Sequence, residues 1–162
     1  MVIGRVINSK YADKRRDKMV KTIHYGLIFT VTLLFVSCVA PSGIFKYASD
    51  GDIAGIQPYI EKGEIDKEDK GGMTPLMYAA YYGNAPMAKY LCENGAGVNK
   101  QDKKGWTSLM YAAYYNFPEV VEILLRYGAS TTLVNSKGKK AIDYAKKFKH
   151  LEIITMLESS SK

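Results

Sequence analysis

The chain has 162 residues, of which 47% are hydrophobic, so it is long enough for one folded domain plus a targeting segment and too short for a second large domain. Its formal net charge of +7 would favour an acidic partner such as nucleic acid or an anionic membrane. That inference is weak because residues 1–37 hold seven Lys/Arg against two Asp/Glu, whereas the remaining residues hold sixteen against fourteen.

The first part of the chain has the pattern of a targeting segment. A basic stretch precedes a thirteen-residue apolar run, YGLIFTVTLLFVS, at residues 25–37, and this order is typical of a signal peptide. A chain that started at Met19 would carry a signal of ordinary length. We therefore predict a signal peptide over residues 1–37, with either Met1 or Met19 as the true start.

The apolar run ends in the stretch FVSC at residues 35–38, which resembles the lipobox of bacterial lipoprotein signals with Phe35 where Leu is usual. The resemblance implies cleavage before Cys38 and its lipidation, with residues 38–43 as a short linker. Two or more acyl chains would hold the protein stably at the bacterial cell envelope, facing the periplasm or the exterior. Plain secretion and an uncleaved N-terminal membrane anchor remain alternatives, and the sequence does not distinguish the inner from the outer membrane.

From residue 44 onward the sequence repeats with a period of 33 residues. Three segments align at residues 69, 102 and 135, and they begin with DKGGMTPLMYAAYYG, DKKGWTSLMYAAYYN and NSKGKKAIDYAKKFK. A degenerate unit that is one residue shorter precedes them. A fixed period of this length predicts a stack of repeated helical units that bury their faces against one another.

Each unit carries the signals of two short helices. Thr74 can cap the first helix, and Pro75 is tolerated in its first turn because its missing N–H would have no intrahelical partner there. Small residues follow at helical spacing, which lets a second helix approach closely. Gly95 and Gly128 stand where the second helix ends, because glycine readily adopts the left-handed conformation.

The aligned segments resemble ankyrin repeats, whose pattern is D-x-x-G-x-T-P-L-H-x-A-A-x-x-G-H followed by an apolar helix and G-A-x-x-N. The resemblance implies an all-α fold, an ankyrin-repeat solenoid of stacked helix–turn–helix units with β-turn fingers. We expect the domain at residues 44–160, with units at about 44–68, 69–101, 102–134 and 135–160. Met77 and Met110 replace the family's His, which predicts weaker local polar contacts, and Asn116 replaces a Gly, which predicts a left-handed Asn.

In ankyrin proteins, ligands usually bind to the finger turns and to the exposed end of the first helix of each unit. Here those positions collect the only Trp, four Tyr and a Phe, with Lys around them, and an exposed aromatic cluster indicates a partner. The alternative is that recent duplication copied LMYAAYY and that the tyrosines lie partly buried under the fingers. The predicted partner-binding residues are Lys70, Met73, Tyr81, Tyr82, Lys103, Lys104, Trp106, Tyr114, Tyr115, Lys137, Lys139 and Phe148.

Candidate catalytic and metal-binding groups are few, so we do not expect an enzyme, a metal or a cofactor. After the signal, His150 is the only histidine and stands at a turn where the family often has His. Ser108 has no base nearby in the repeat, and catalysis needs a second, orienting group. Cys92 matches Leu125 of the next unit and is predicted to be a buried core residue.

The sequence therefore predicts a membrane-tethered, monomeric interaction module that binds one protein partner on its concave face. Small bacterial members of the family protect or restrain an enzyme or neutralise a toxin, so the resemblance implies a role of that kind. The alternative is binding of anionic lipid or nucleic acid through the lysine and aromatic residues of the same face. Export and the nearly balanced charge after residue 37 disfavour nucleic acid.

Overall fold

The computed structural model describes residues 43–160, and in this part the chain forms eight helices and no strand. The predicted signal peptide and lipidation site Cys38 lie outside the described residues. None of the described helices is long and apolar enough to cross a membrane. The all-α expectation is confirmed, with helices α1 (Ile44–Asp50), α2 (Ile53–Glu61), α3 (Pro75–Tyr82), α4 (Ala85–Glu93), α5 (Ser108–Tyr115), α6 (Pro118–Arg126), α7 (Ala141–Phe148) and α8 (Leu151–Ser159).

The helices pair in sequence order and the pairs stack in two layers. The odd-numbered helices form the inner layer, in which α1 packs on α3, α3 on α5 and α5 on α7. In the outer layer α4 packs on α6 and α6 on α8. Each inner helix also packs on the helix that follows it in the chain, so every unit shares its core with its neighbours.

The inner helix α3 begins at the residues that the sequence predicts. The side chain of Thr74 accepts a hydrogen bond from the backbone N–H of Met77, and Pro75 occupies the first turn of α3. Asn116 ends α5 with φ 65°, in the left-handed region, as the sequence predicted. Lys149 ends α7 with φ 60°, although nothing in its side chain favours that conformation.

Small residues on the inner helices let the layers approach closely. Ala79, Ala80, Ala112 and Ala113 are all fully buried, and together with leucine and methionine side chains they form one continuous core. Fully burying one of the larger side chains is worth about 1.5–3 kcal/mol. Cys92 belongs to this core and is only 7% exposed, which confirms its predicted place.

The methionines that replace the family's His are buried at the start of the inner helices. At Met77 the thioether sulfur lies 3.5 Å from the backbone nitrogen of Thr74 and accepts its hydrogen bond. Sulfur is a weak acceptor. The position therefore keeps a local polar contact, but a weaker one than an imidazole would make, as the sequence indicated.

Candidate functional site

The three finger turns are held in shape by the polar residue that opens each of them. The Oδ1 atom of Asp69 accepts hydrogen bonds from the backbone N–H groups of Gly71 (2.7 Å) and Met73 (2.8 Å). Asp102 and Asn135 make the same two bonds in their own fingers. A backbone fixed in this way presents its side chains at constant positions, which lowers the entropy cost of binding.

A second hydrogen bond ties each finger to the inner helix of its own unit. The hydroxyl of Tyr78 donates to Oδ2 of Asp69 at 2.8 Å, and the hydroxyl of Tyr111 donates to Oδ2 of Asp102 at 2.6 Å. Burial, together with this bond to a carboxylate, raises the pKa of both tyrosines well above the usual value. Both phenols therefore stay protonated and keep donating at neutral pH.

The last unit keeps this tie with different chemistry. Here the amide nitrogen of Asn135 donates to the hydroxyl of Tyr144 at 2.6 Å. The sequence analysis did not predict this hydrogen bond in any of the three units. The constant separation of nine residues between the first finger residue and the tyrosine in all three units was the available signal.

Neighbouring fingers are joined along their backbones into one continuous edge. The N–H of Lys103 donates to the carbonyl of Gly71, and the N–H of Ser136 donates to the carbonyl of Lys104, each at 3.0 Å. The ammonium group of Lys103 also donates to the carbonyl of Lys70 at 2.9 Å. Lys103 was predicted to contact a partner, and its side chain here links two fingers.

Opposite the fingers, five aromatic side chains form a continuous row that we call the aromatic ladder: Tyr82, Tyr81, Tyr115, Tyr114 and Phe148. Successive ring centroids in this row are 5.0, 4.6, 4.8 and 4.9 Å apart, all in edge-to-face arrangements. Edge-to-face contacts at this distance are favourable. The ladder crosses α3, α5 and α7 and thus spans three units of the stack.

Trp106 projects from its finger toward the ladder and fills the space between two units. Its ring stacks on Tyr144 with the centroids 4.6 Å apart, and it also contacts Tyr111 at 4.9 Å and Tyr114 at 5.5 Å. Trp106 is half-buried. The finger and the inner helices are therefore in contact through apolar surface as well as through hydrogen bonds.

Between the fingers and the inner helices lies a cavity of about 530 Å³, which we call the finger cleft. It brings together seven of the predicted partner-binding residues and adds tyrosines and polar residues that the prediction left out. The lining residues are Met73, Tyr81, Lys104, Trp106, Tyr111, Tyr114, Tyr115, Ser136, Lys137, Tyr144 and Lys147.

The other predicted partner-binding residues lie around this cleft or away from it. Tyr82 and Phe148 extend the ladder at its two ends. Lys139 lines a smaller cavity of 340 Å³ that shares Lys137 with the finger cleft. Lys70 lines neither cavity and lies exposed on the first of the three fingers.

The ladder is accessible, but not uniformly. Tyr82 is 51% exposed, Phe148 40% and Tyr115 39%, whereas Tyr81 and Tyr114 are half-buried between their neighbours. The alternative interpretation of partly buried tyrosines thus describes Tyr81 and Tyr114. The two ends of the ladder and Tyr115 at its centre present exposed rings.

Positive charge dominates the finger cleft. Lys104, Lys137 and Lys147 line it, and no carboxylate among residues 43–160 does. The Lys147 ammonium lies 5.1 Å from the centre of the Phe148 ring, within cation–π range. Burial and a hydrogen bond with Tyr81 raise the pKa of Tyr115 to about 12, so this phenol adds no negative charge at neutral pH.

The remaining reactive side chains have structural surroundings. Nδ1 of His150 lies 2.9 Å from the carbonyl oxygen of Ala113 and joins the last unit to α5. Ser108 is only 1% exposed, in the first turn of α5. Within residues 43–160, no group of three or more His, Cys, Asp or Glu side chains is placed to hold a metal ion.

Comparison with known proteins relates the chain to repeat proteins. A family model described as ankyrin repeats (3 copies) matches residues 44–135 and again 98–161. Palmitoyltransferase AKR1 of Lachancea kluyveri is 34% identical over 77 residues, which cover 44% of this chain and 10% of that protein. The chain thus matches about a tenth of the length of this curated relative, and the catalytic activity in the relative's name is not carried over to this chain.

Proposed function

The chain belongs to the ankyrin-repeat family, whose repeats indicate a protein–protein interaction module, and we propose that its finger cleft and aromatic ladder bind a single protein partner. The observation that supports this is the exposure of the ladder at both ends, at Tyr82 and Phe148. Large, rigid aromatic side chains supply contact area at low entropy cost and are enriched in binding hot spots.

We propose that the protein acts at the bacterial envelope, and the sequence around Cys38 supports this proposal. Lipidation there would hold the domain close to the membrane of the bacterial envelope, since helix α1 begins only six residues later, at Ile44. The partner would then be an exported enzyme or a toxin that this module protects or inhibits. The anchor itself is tested by a Cys38→Ser chain, which should lose incorporation of labelled palmitate and leave the membrane fraction; unchanged incorporation would contradict it.

The binding proposal is tested by chemical cross-linking and pull-down from an envelope extract, with the full chain as bait. One variant carries Tyr82→Ser, Tyr115→Ser and Phe148→Ser. The matched control carries Tyr127→Ser, because Tyr127 is 40% exposed but lies at the end of the outer helix α6, away from the cleft. Circular dichroism first establishes that both variants are folded.

We expect one protein to be captured by the parent and by the Tyr127→Ser control and lost with the ladder variant. Capture that is equal in all three chains, or no capture at all, would argue against binding through this surface. Binding of anionic lipid or nucleic acid is the alternative, which the lysines of the cleft favour. It predicts retention on phosphatidylglycerol vesicles or on a single-stranded oligonucleotide, with a steep loss as salt is raised.

A further inference from the structure

We propose that the finger cleft takes an extended, acidic segment of the partner, about six residues long, in which aromatic or large aliphatic side chains alternate with Asp or Glu. This inference rests on the proposed function and specifies the chemistry of the surface that the partner must offer. It follows from the charge of the cleft, from the geometry of the ladder, and from the depth at which the aromatic rings lie.

The lysines of the cleft form no ion pair with any carboxylate of residues 43–160. The three lysines that line it are Lys104, Lys137 and Lys147, and the closest finger carboxylates already accept hydrogen bonds from backbone N–H groups and from tyrosine hydroxyls. The adjoining smaller cavity has one carboxylate, Asp143, whose Oδ2 accepts a bond from the backbone N–H of Lys140 at 2.8 Å. An acidic segment of a partner would therefore meet lysines that are not already held in ion pairs.

The backbone of the two charged fingers does not depend on the lysine side chains. The N–H groups of Lys104 and Lys137 donate to Asp102 and Asn135, and the carbonyl of Lys104 accepts from Ser136. In all three bonds the lysine takes part only through its main-chain atoms. The side chains are thus available for a ligand, and they can be replaced without removing the bonds that shape the fingers.

The length of the ladder suits an extended peptide. Packed helices lie about 8–10 Å apart, so the path from α3 across α5 to α7 is roughly 16–20 Å long. An extended chain rises about 3.3 Å per residue and directs successive side chains to opposite sides. About six residues therefore cover the ladder, with one set of side chains on the rings and the other directed to the lysines.

The depth of the rings favours a narrow ligand over a flat or wide one. Trp106, Tyr114 and Tyr81 are half-buried between the fingers and the inner helices. A membrane surface or a nucleic-acid duplex would contact the exposed ends of the site but would not reach these rings. A single extended chain can enter the cleft and contact both the rings and the lysines.

The test is selection of a displayed library of random eight-residue peptides on the immobilised full chain in detergent micelles. The same selection is run on a Lys104→Glu/Lys137→Glu variant and on a Lys62→Glu/Lys89→Glu control. The control has the same change in net charge, but at exposed lysines of the outer layer. Binding of the enriched peptide is then measured from the fluorescence of Trp106, which lines the cleft and is the only tryptophan.

We expect the parent and the control to enrich peptides that alternate Asp or Glu with aromatic or aliphatic residues. The cleft variant should bind the enriched peptide about tenfold more weakly, since two partly exposed ion pairs are lost. Phosphatidylglycerol vesicles and a single-stranded oligonucleotide are added as competitors and should not displace it. If the peptide stays bound in the presence of the vesicles and of the oligonucleotide, the result favours a protein segment over lipid or nucleic acid as the ligand.

The inference would be overturned by enrichment of basic or neutral peptides, by no enrichment, or by equal affinity in the parent and the cleft variant. Displacement by vesicles or oligonucleotide would overturn it in favour of those ligands. The proposed function is judged separately, by pull-down with the same charge variant. If the cross-linked protein is still captured by the Lys104→Glu/Lys137→Glu chain but not by the ladder variant, the partner binds the ladder and the acidic segment is wrong.

Discussion

The hydroxyl of Tyr111 donates a 2.6 Å hydrogen bond to Oδ2 of Asp102, nine residues earlier in the chain, and ties the finger of the third unit to its inner helix. Asp102 is only 8% exposed, and its other oxygen holds the finger backbone. One carboxylate thus shapes the finger and also fixes its position over the helix.

Tyr111→Phe should destabilise the protein by about 1–3 kcal/mol, because it leaves a buried carboxylate oxygen without its donor. Urea denaturation measures this change. Tyr127→Phe is the matched control at an exposed tyrosine and should change the unfolding free energy by less than about 0.5 kcal/mol. Equal effects of the two substitutions would show that the hydrogen bond contributes no net stability.

Glycine is required at position 72, at the tip of the finger, for two reasons. The neighbouring finger lies very close to it, and its backbone has a positive φ. Gly72 and Gly95 both have positive φ, of 82° and 86°. A Cβ added at Gly72 would lie 2.9 Å from the backbone nitrogen of Lys103, whereas nothing lies within 4 Å of a Cβ at Gly95. Gly95→Ala should therefore cost only the left-handed backbone penalty, about 1–2 kcal/mol.

Gly72→Ala should cost that penalty and a further 1–3 kcal/mol or so, because the finger must move away from its neighbour. The two substitutions are compared by thermal or urea unfolding. If Gly72→Ala were no worse than Gly95→Ala, the bond between neighbouring fingers would be adjustable and the finger edge would not be rigid.

The sequence predicts the repeat, its helices and its finger turns because these depend on local signals that recur every 33 residues. The Asp or Asn and the Gly that open each of the last three units specify a turn, and Thr74, Pro75 and Thr107 specify helix starts, without reference to the rest of the chain. The stack then follows from the need of each unit to bury both faces. For the same reason the left-handed Asn116 was predictable from its place in the pattern.

The cleft was predictable only in part, because its lining depends on contacts between units. Sequence position placed Trp106 and Tyr115 on the ligand-binding side, but it did not show that Trp106 stacks on Tyr144 or that Tyr115 packs on Tyr81. Nor did it show that the side chain of Lys103 is taken up by a neighbouring finger. Such contacts are set by the distance between neighbouring units, which no single unit encodes.

The titration of Cys92 should lower the stability of the protein at alkaline pH. Burial raises the pKa of its thiol from 9.0 to about 11. The folded state therefore favours the neutral thiol. The contribution of this thiol to the free energy of unfolding is fully present below pH 9 and is lost as the pH rises from 9 toward 11. The loss should be on the order of 1 kcal/mol.

The measurement is urea denaturation at pH 7, 9 and 10.5 of the parent and of Cys92→Ala. The variant is less stable at neutral pH because it leaves a small cavity, but it has no thiol to titrate. The difference between the two chains should shrink as the pH rises. A difference that stays constant would mean that tyrosine titration, which both chains share, accounts for the whole alkaline effect.

Substitutions at Tyr82 and Tyr115 should distinguish the role of the ladder in binding from its role in stability. Tyr82 is 51% exposed and its ring contacts only Tyr81 among the described aromatic pairs, whereas Tyr115 is 39% exposed and contacts Tyr81, Tyr114 and Phe117. Tyr115→Ser should lower the unfolding free energy by about 1–2 kcal/mol through lost ring contacts. Tyr82→Ser should change it by less than about 0.5 kcal/mol.

Both substitutions should nevertheless weaken binding to the partner or to the selected peptide, because both remove an aromatic ring from the ladder. The expected loss is about tenfold for each, as for a side chain at a binding hot spot. Stability is read from urea denaturation and affinity from the fluorescence of Trp106. If Tyr82→Ser changes neither the unfolding free energy nor the affinity, the exposed end of the ladder is not part of the binding surface. The site is then confined to the finger cleft, which spans the second to the fourth unit.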